Sequence, residues 1–338
     1  MRAIPLVMSA CAALVLATIP ASAATLDDVK ARGHLKCGID GGLPGFSAPD
    51  DKGQMRGIDA DLCYALTAAI FGDKTKVKFT NLTAKERFTA LTSGEVDVLS
   101  RNTTATMSRD ATLGIDFTYF NYIDGQGFLV KKSLNVASAK ELGGATVCVQ
   151  AGTTTELNLA DYFRSNGLQF KPVVYDTSVQ TREGFDGGSC DVLTSDKSQL
   201  AAIRTELKQP DGAIILPETI SKEPLGPAVR QGDAQWRDIV TWTLYALITA
   251  DELGVTAATA DEMKTKSTSP DVKRLLGSED KMGENLGLSN SWALDAVKAV
   301  GNYDEMYQRS ITPLGLKRDG SVNALWSKGG LLYAPPIR

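Results

Sequence analysis

A short phrase, G-x-x-D-V-L-[ST], occurs twice in this chain, at residues 94–100 and again at residues 188–194. In each copy an apolar run with the length and composition of a buried strand opens directly into polar side chains. The first runs into Arg101, Asn102, Thr103 and Thr104 and on to Arg109, the second into Ser195 and Asp196. A strand that ends this way delivers donors and charges to a loop. In an open parallel sheet, ligands are held just beyond the carboxyl ends of the strands. Two copies therefore imply two similar lobes, one offering the cation Arg109 and the other the anion Asp196 to whatever lies between them.

The surrounding pattern agrees. Strand-like runs at residues 35–39, 77–79 and 96–99 alternate with helical stretches: one carries Leu62, Leu66, Ala69 and Ile70 on one face and stops at Gly72, the other spans residues 85–93. Such a β-α-β-α-β series implies a parallel sheet covered by helices. A second series follows, with strands predicted at 128–130, 145–149, 170–175 and 190–194 and a helix at 197–204. Residues 25–28 and 138–141 read as capping boxes, and Asp233 as the cap of a long helix through Trp236, Ile239, Val240, Leu244, Leu247 and Ile248. The α/β organisation expected is a first lobe over residues 24–122, a second over 123–224, and a return to the first lobe over 225–338 with a helical extension. Beyond residue 254 the period is weak, and the tail must pack back on the first lobe or on the long helix. The glycine-rich stretch 40–46 has no phosphate-loop spacing and reads as a turn.

Residues 1–23 read as a secretory signal peptide: Arg2, a mostly apolar run over 4–19, then Ala21-Ser22-Ala23. The apolar run is shorter than the roughly 20 residues of a bilayer span, which disfavours an uncleaved anchor, and a lipoprotein site at Cys11 has poor flanks. With 36 basic and 40 acidic residues the chain is mildly acidic, which argues against nucleic acid as a partner. Four cysteines follow the leader: Cys37, Cys63, Cys148 and Cys190. In an exported chain an even number favours disulfides, and three connectivities are open. Pairing within each lobe, Cys37 with Cys63 and Cys148 with Cys190, is the most economical. Zinc is disfavoured by the absence of C-x-x-C and by a single histidine, His34. No cofactor is implied.

Residues 57–62, Gly-Ile-Asp-Ala-Asp-Leu, with Leu66 and Ile70 behind them, resemble the G-[hydrophobic]-D-x-D-[hydrophobic] signature of the polar amino-acid-binding proteins of bacterial ABC importers, solute-binding family 3. Ala60 and Thr67 are departures. Segments 94–109, 150–154, 190–196 and 224–233 match in order and spacing, and the whole chain looks most like the general L-amino-acid-binding subgroup. The resemblance implies a two-lobed type II periplasmic binding protein: mainly parallel sheets flanked by helices, hinged to close over a free L-amino acid. It further implies a periplasmic monomer that serves a membrane ABC permease in trans. It assigns Arg109 to the ligand α-carboxylate, Thr104, Asn102, Thr153 and Thr154 to hydroxyl, amide and backbone contacts, and Asp196 to the α-ammonium. At the side-chain end it points to Asp40, where binders of basic amino acids place an acid, and to Arg87, where binders of acidic ones place an arginine. Arg101 is an added charge, and Leu43 replaces a stacking aromatic. Both signs near the ligand side chain imply broad specificity, unless Asp40 and Arg87 pair with each other. Asp196 and the threonines at 153–155 could instead serve only as helix caps.

The competing class is an enzyme on the same fold, such as an exported dehydratase or cell-wall hydrolase. It would need a general acid or base in the cleft, yet His34 precedes the first strand and no G-x-S-x-G is present. A receptor for a sensor kinase is a weaker third reading.

Overall fold

The computed structural model describes residues 24–338; the expected signal peptide and Cys11 lie outside the described residues. Two five-stranded mixed sheets form the centres of two lobes, as the resemblance implies. In the first lobe, strand Leu35–Ile39 lies between Val77–Asn81 and Val98–Leu99, parallel to both, with Cys37 opposite Phe79 on one side and Val98 on the other. In the second, Thr146–Gln150 lies in the same way between Lys171–Tyr175 and Val192–Asp196.

Each sheet is completed by the chain on its way between lobes. After Ile115–Phe117, at the edge of the first sheet, the chain runs through Tyr122–Asp124 into Gln126–Lys131, the antiparallel fourth strand of the second sheet. It returns from Ala213–Ile215 through Glu223–Leu225 to Ala228–Arg230, the antiparallel fourth strand of the first. The two crossing strands pair antiparallel, Glu223 opposite Asp124. Residues 128–130 are therefore not the start of a parallel repeat. An edge of unpaired backbone groups on each three-stranded parallel set is covered by a strand arriving from the other lobe.

Helix Ile58–Phe71 departs from the one-faced reading. Asp59, Asp61, Cys63 and Thr67 are buried along with the apolar stripe, because helix Trp292–Val300 covers its outer side. A helix apolar nearly all round has to be enclosed on all sides, and here the enclosing element comes from the tail. The Thr67 hydroxyl donates to its own helix at Cys63 O, and Asp61 pairs with Arg309 at 2.5 Å. Gly57, at φ 117°, must be glycine, since a Cβ would stand 2.3 Å from the Phe46 backbone. Disulfides join Cys37 to Cys63, tying this helix to the central strand, and Cys148 to Cys190, with Cα–Cα separations of 6.4 and 5.7 Å.

Two expected caps fall differently. Thr25 makes no capping box; it lies inside helix Thr25–Arg32, and its N–H donates to Asp233 Oδ2 at 2.7 Å. Asp233 Oδ1 also accepts from Trp236 N at 2.9 Å, capping helix Ala234–Glu252 as expected. One carboxylate thus satisfies two helix starts far apart in sequence, which no local pattern encodes. Residues 138–141 form a short 3-10 turn in which Ser138 accepts from Lys140 N.

The tail packs into the first lobe. Trp292, Val297, Tyr303, Met306 and Tyr307 belong to the same buried cluster as Leu35, Leu66 and Trp236. Arg318, buried, reaches Asp251 and Asp304 at 2.7 Å each and lies 4.8 Å from the Tyr303 ring centroid. The tail also supports the crossing strands. Tyr303 Oη donates to Asn121 O, and the Asn323 side chain accepts from Ile123 N at 2.7 Å and donates to Ile123 O at 2.9 Å, as a neighbouring strand would. Asn323→Ala leaves both Ile123 groups without partners and is expected to cost about 1–2 kcal/mol, seen as a lower urea midpoint with an unchanged slope.

Candidate functional site

The carboxyl ends of both central strand sets face each other across the crossing strands, and this is where the charges collect. The loop after Val98–Leu99 is held from below by Asp59, the first aspartate of the signature. Its carboxylate accepts from Asn102 N at 2.7 Å, Asn121 Nδ2 at 2.7 Å and Ser100 Oγ at 3.3 Å. Asn102 takes φ 27°, a conformation that asparagine tolerates better than most residues. Burial pushes Asp59 up to about 6 against those three donors. Sequence reasoning recognised this aspartate as part of a motif but not as the support of the loop.

Arg109 lies in helix Met107–Thr112, capped by the Thr106 hydroxyl, which accepts from Arg109 N. Its Nη1 donates to Thr104 O at 2.9 Å and its guanidinium lies 5.2 Å from the Phe88 ring centroid. Burial brings its pKa down to about 10, opposed by the charges of Glu223 and Asp196. Arg87, only 2% exposed, lies 4.9 Å from the centroid of the same ring. The one hydrogen bond of its side chain among the described residues runs from Nη1 to Thr103 Oγ1, its Nε has no partner, and no carboxylate among them lies within ion-pair distance. Burial, then Arg109 and Arg101, hold its pKa well below the ordinary arginine value. Asp40 does not pair with Arg87. It pairs with Arg101 at 2.5 Å, while Arg101 Nε donates to Leu82 O. Leu43 is part of the first-lobe core.

Asp196 ends strand Val192–Asp196 and stands at the N-cap position of helix Lys197–Thr205, yet it makes no capping bond. Asp124, from the crossing strand, takes that role: its Oδ2 accepts from Ser198 N at 3.0 Å and its Oδ1 from Gly125 N at 2.8 Å. Asp196 is consequently buried with Oδ1 unpartnered. Burial, then the charges of Asp124 and Glu223, raise its pKa well above the usual carboxylate range against Arg87 and Arg109. Asp124 is itself pushed up to about 6, by burial first and by Glu223 in addition.

The threonines divide. Thr153 caps helix Thr154–Ser165 by accepting from Glu156 N, and its own proton goes to Gln150 O at 2.7 Å. Thr154 and Thr104 come from opposite lobes, their hydroxyl oxygens 3.4 Å apart, and both donate to Glu223 Oε2. Glu223 was not foreseen; a single acid before a proline carries no local signal. Other bonds also cross between lobes: Asn102 Nδ2 to Gln199 Oε1 at 3.2 Å, Ser178 Oγ to Asp40 Oδ1 at 3.2 Å and Lys85 to Asp176 at 2.7 Å. The last is solvent-exposed and worth little. A cavity of about 270 Å³ opens outward from the Asp40–Arg101 pair, lined also by Gly41, Gly42, Gln150 and Ser178.

Two buried guanidiniums with no carboxylate in pairing distance among the described residues and one buried carboxylate oxygen with no donor thus lie near enough for their charges to act on one another. Buried charges are costly unless paired and hydrogen-bonded, so this cluster is complementary to a small molecule that carries both signs. Asp59→Ala is expected to destabilise the fold by about 2 kcal/mol or more, because Asn102 N and the Asn121 amide are left buried without an acceptor; thermal unfolding checks this.

The comparisons with known proteins agree in kind. A family model described as bacterial extracellular solute-binding proteins, family 3, matches residues 35–258. The chain is 58% identical over 332 residues to the general L-amino acid-binding periplasmic protein AapJ of Rhizobium johnstonii, covering 97% of this chain and 96% of that one. It is 53% identical over 321 residues to the glutamate/glutamine/aspartate/asparagine-binding protein BztA of Rhodobacter capsulatus, covering 94% of each. Among solved structures, a periplasmic binding protein of an ABC transporter from Brucella ovis, with glutathione bound, has 54% identity and a TM-score of 0.91 over 94% of this chain and 100% of that one. Each is named for binding, and the alternative of an exported enzyme has no support among them. The chain belongs to the bacterial extracellular solute-binding proteins, family 3.

Proposed function

We propose that this protein is exported to the periplasm, binds free L-amino acids between its lobes and delivers them to a membrane ABC permease. Residues 1–23 act as the signal peptide; residues 24–122 with 225–338 form one lobe and residues 123–224 the other. The observation that carries the reading is the buried Asp196 Oδ1 without a hydrogen-bond partner, in a carboxylate that feels the charges of Arg87 and Arg109. Arg109 grips the α-carboxylate through its planar fork of donors. Asp196 receives the α-ammonium. Thr104 and Thr154 line the same end; Thr153 and Asn102 hold the helix start and the loop that position it. Arg87, with the Asp40–Arg101 pair beyond it, faces the ligand side chain. A cation and a neutralised pair there suit acidic, amide and apolar side chains alike, in keeping with what the names of AapJ and BztA say of those proteins.

Titration calorimetry with glutamate, glutamine, histidine and leucine tests the breadth, and binding of only one of the four would overturn it. The cavity outside the Asp40–Arg101 pair, together with the ligand of the Brucella ovis relative, favours a second reading in which a γ-glutamyl peptide also enters; glutathione belongs in the same series.

Arg109→Ala is expected to abolish measurable binding with the fold intact by circular dichroism, and affinity retained within tenfold would refute its role. The affinity should also depend on pH. An ammonium pairs with the ionised form of Asp196, so the complex lowers a pKa that is raised in the empty cleft, and binding releases a proton. Affinity therefore falls as pH falls through the range where Asp196 takes up that proton, by at most about tenfold per pH unit. Calorimetry in buffers of different ionisation enthalpy reads the proton release directly.

A further inference from the structure

Glu223 is 1% exposed and begins the second crossing strand, Glu223–Leu225. Four donors converge on it: Thr104 Oγ1 at 2.6 Å and Thr154 Oγ1 at 2.9 Å on Oε2, Asn158 Nδ2 at 2.8 Å and Ser221 Oγ at 2.5 Å on Oε1. No arginine or lysine among the described residues pairs with it. A carboxylate only accepts, and a hydroxyl has one proton to give and two lone pairs to offer. With their protons committed to Glu223, Thr104 and Thr154 have nothing left to donate. Among the described residues no N–H donates to either oxygen, so lone pairs remain for a bound molecule. Thr104 is fixed in turn, since its backbone bridges Leu225 and its carbonyl accepts from Arg109 Nη1.

We propose that Glu223 is a positioning residue of the binding site: by taking the protons of Thr104 and Thr154 it turns both hydroxyls into acceptors, and so makes a free ammonium the group the cleft requires. The proposal rests on the amino-acid reading above. Without Glu223 the same hydroxyls could rotate and donate, and a ligand with a hydroxyl in place of the ammonium would be tolerated. A carboxylate that merely stitched the lobes together would affect such ligands and amino acids equally.

The discriminating quantity is the ratio of dissociation constants for an amino acid and its 2-hydroxy analogue, glutamate against 2-hydroxyglutarate and leucine against 2-hydroxyisocaproate. In Glu223→Gln the carbonyl stays at the Oε1 position, where Asn158 Nδ2 and the Ser221 hydroxyl both donate, so the new NH2 falls on the threonine pair and turns their protons away. The variant is expected to narrow the ratio by about tenfold or more, the loss of a hydrogen bond to a charged group. A ratio equal to that of the unmodified protein, with both affinities shifted together, overturns the proposal. If Glu223→Gln does not fold, Thr104→Val removes one acceptor at nearly constant shape and should narrow the ratio as well; an unchanged ratio there is equally fatal. Failure of the unmodified protein to bind any of the amino acids sinks the amino-acid reading itself and this inference with it, whereas binding with an unaltered ratio in the variants sinks this inference alone.

Discussion

The antiparallel pairing of Tyr122–Asp124 with Glu223–Leu225 is the constraint on which the rest of the molecule depends. Each crossing supplies the fourth strand of the sheet it enters, so neither lobe completes its sheet without the other passage of the chain. The same few residues carry the two carboxylates that organise the space between the lobes. Asp124 takes over the start of helix Lys197–Thr205, and Glu223 collects hydroxyls from both sides. The fold and the site are therefore set by one structural junction. The tail strengthens it, with Asn323 acting as a side-chain substitute for a third strand.

Electrostatically the site is built from groups kept apart from their natural partners. Arg101 and Asp40 neutralise each other. Arg87 and Arg109 share an aromatic ring instead of a carboxylate, and Asp196 lacks even the cap that its position in the chain offers. Burial makes each of these ionised states costly on its own. On the proposed reading, a ligand with both charges relieves that cost for both lobes at once.

Much of this was legible in the residues. The duplicated phrase located both strand ends, and the arginine and aspartate beyond them are buried and feel each other's charge. Period and capping signals found most strands and the long helix, because those depend on neighbours in sequence. Where tertiary contact overrides local pattern, the reading departs: Thr25 gives way to Asp233 as the satisfier of a helix start, Asp40 takes Arg101 in place of Arg87, and strand Gln126–Lys131 runs antiparallel in its sheet. Glu223 and Asp124 had no sequence signal, since an isolated acid in a short strand looks like any surface carboxylate.

The sequence by itself determined the two α/β lobes and the family and pointed to Arg109 and Asp196 as opposed charges, because strand and helix periods and a motif's spacing are properties of consecutive residues. Only the tertiary structure decided which of those charges are free. That outcome depends on groups between 61 and 119 residues distant arriving within about 3 Å, the reach of a hydrogen bond. Asp196 is left open because Asp124 caps the helix it might have capped, and the Thr104 and Thr154 hydroxyls are committed because Glu223 lies between the lobes that bring them together.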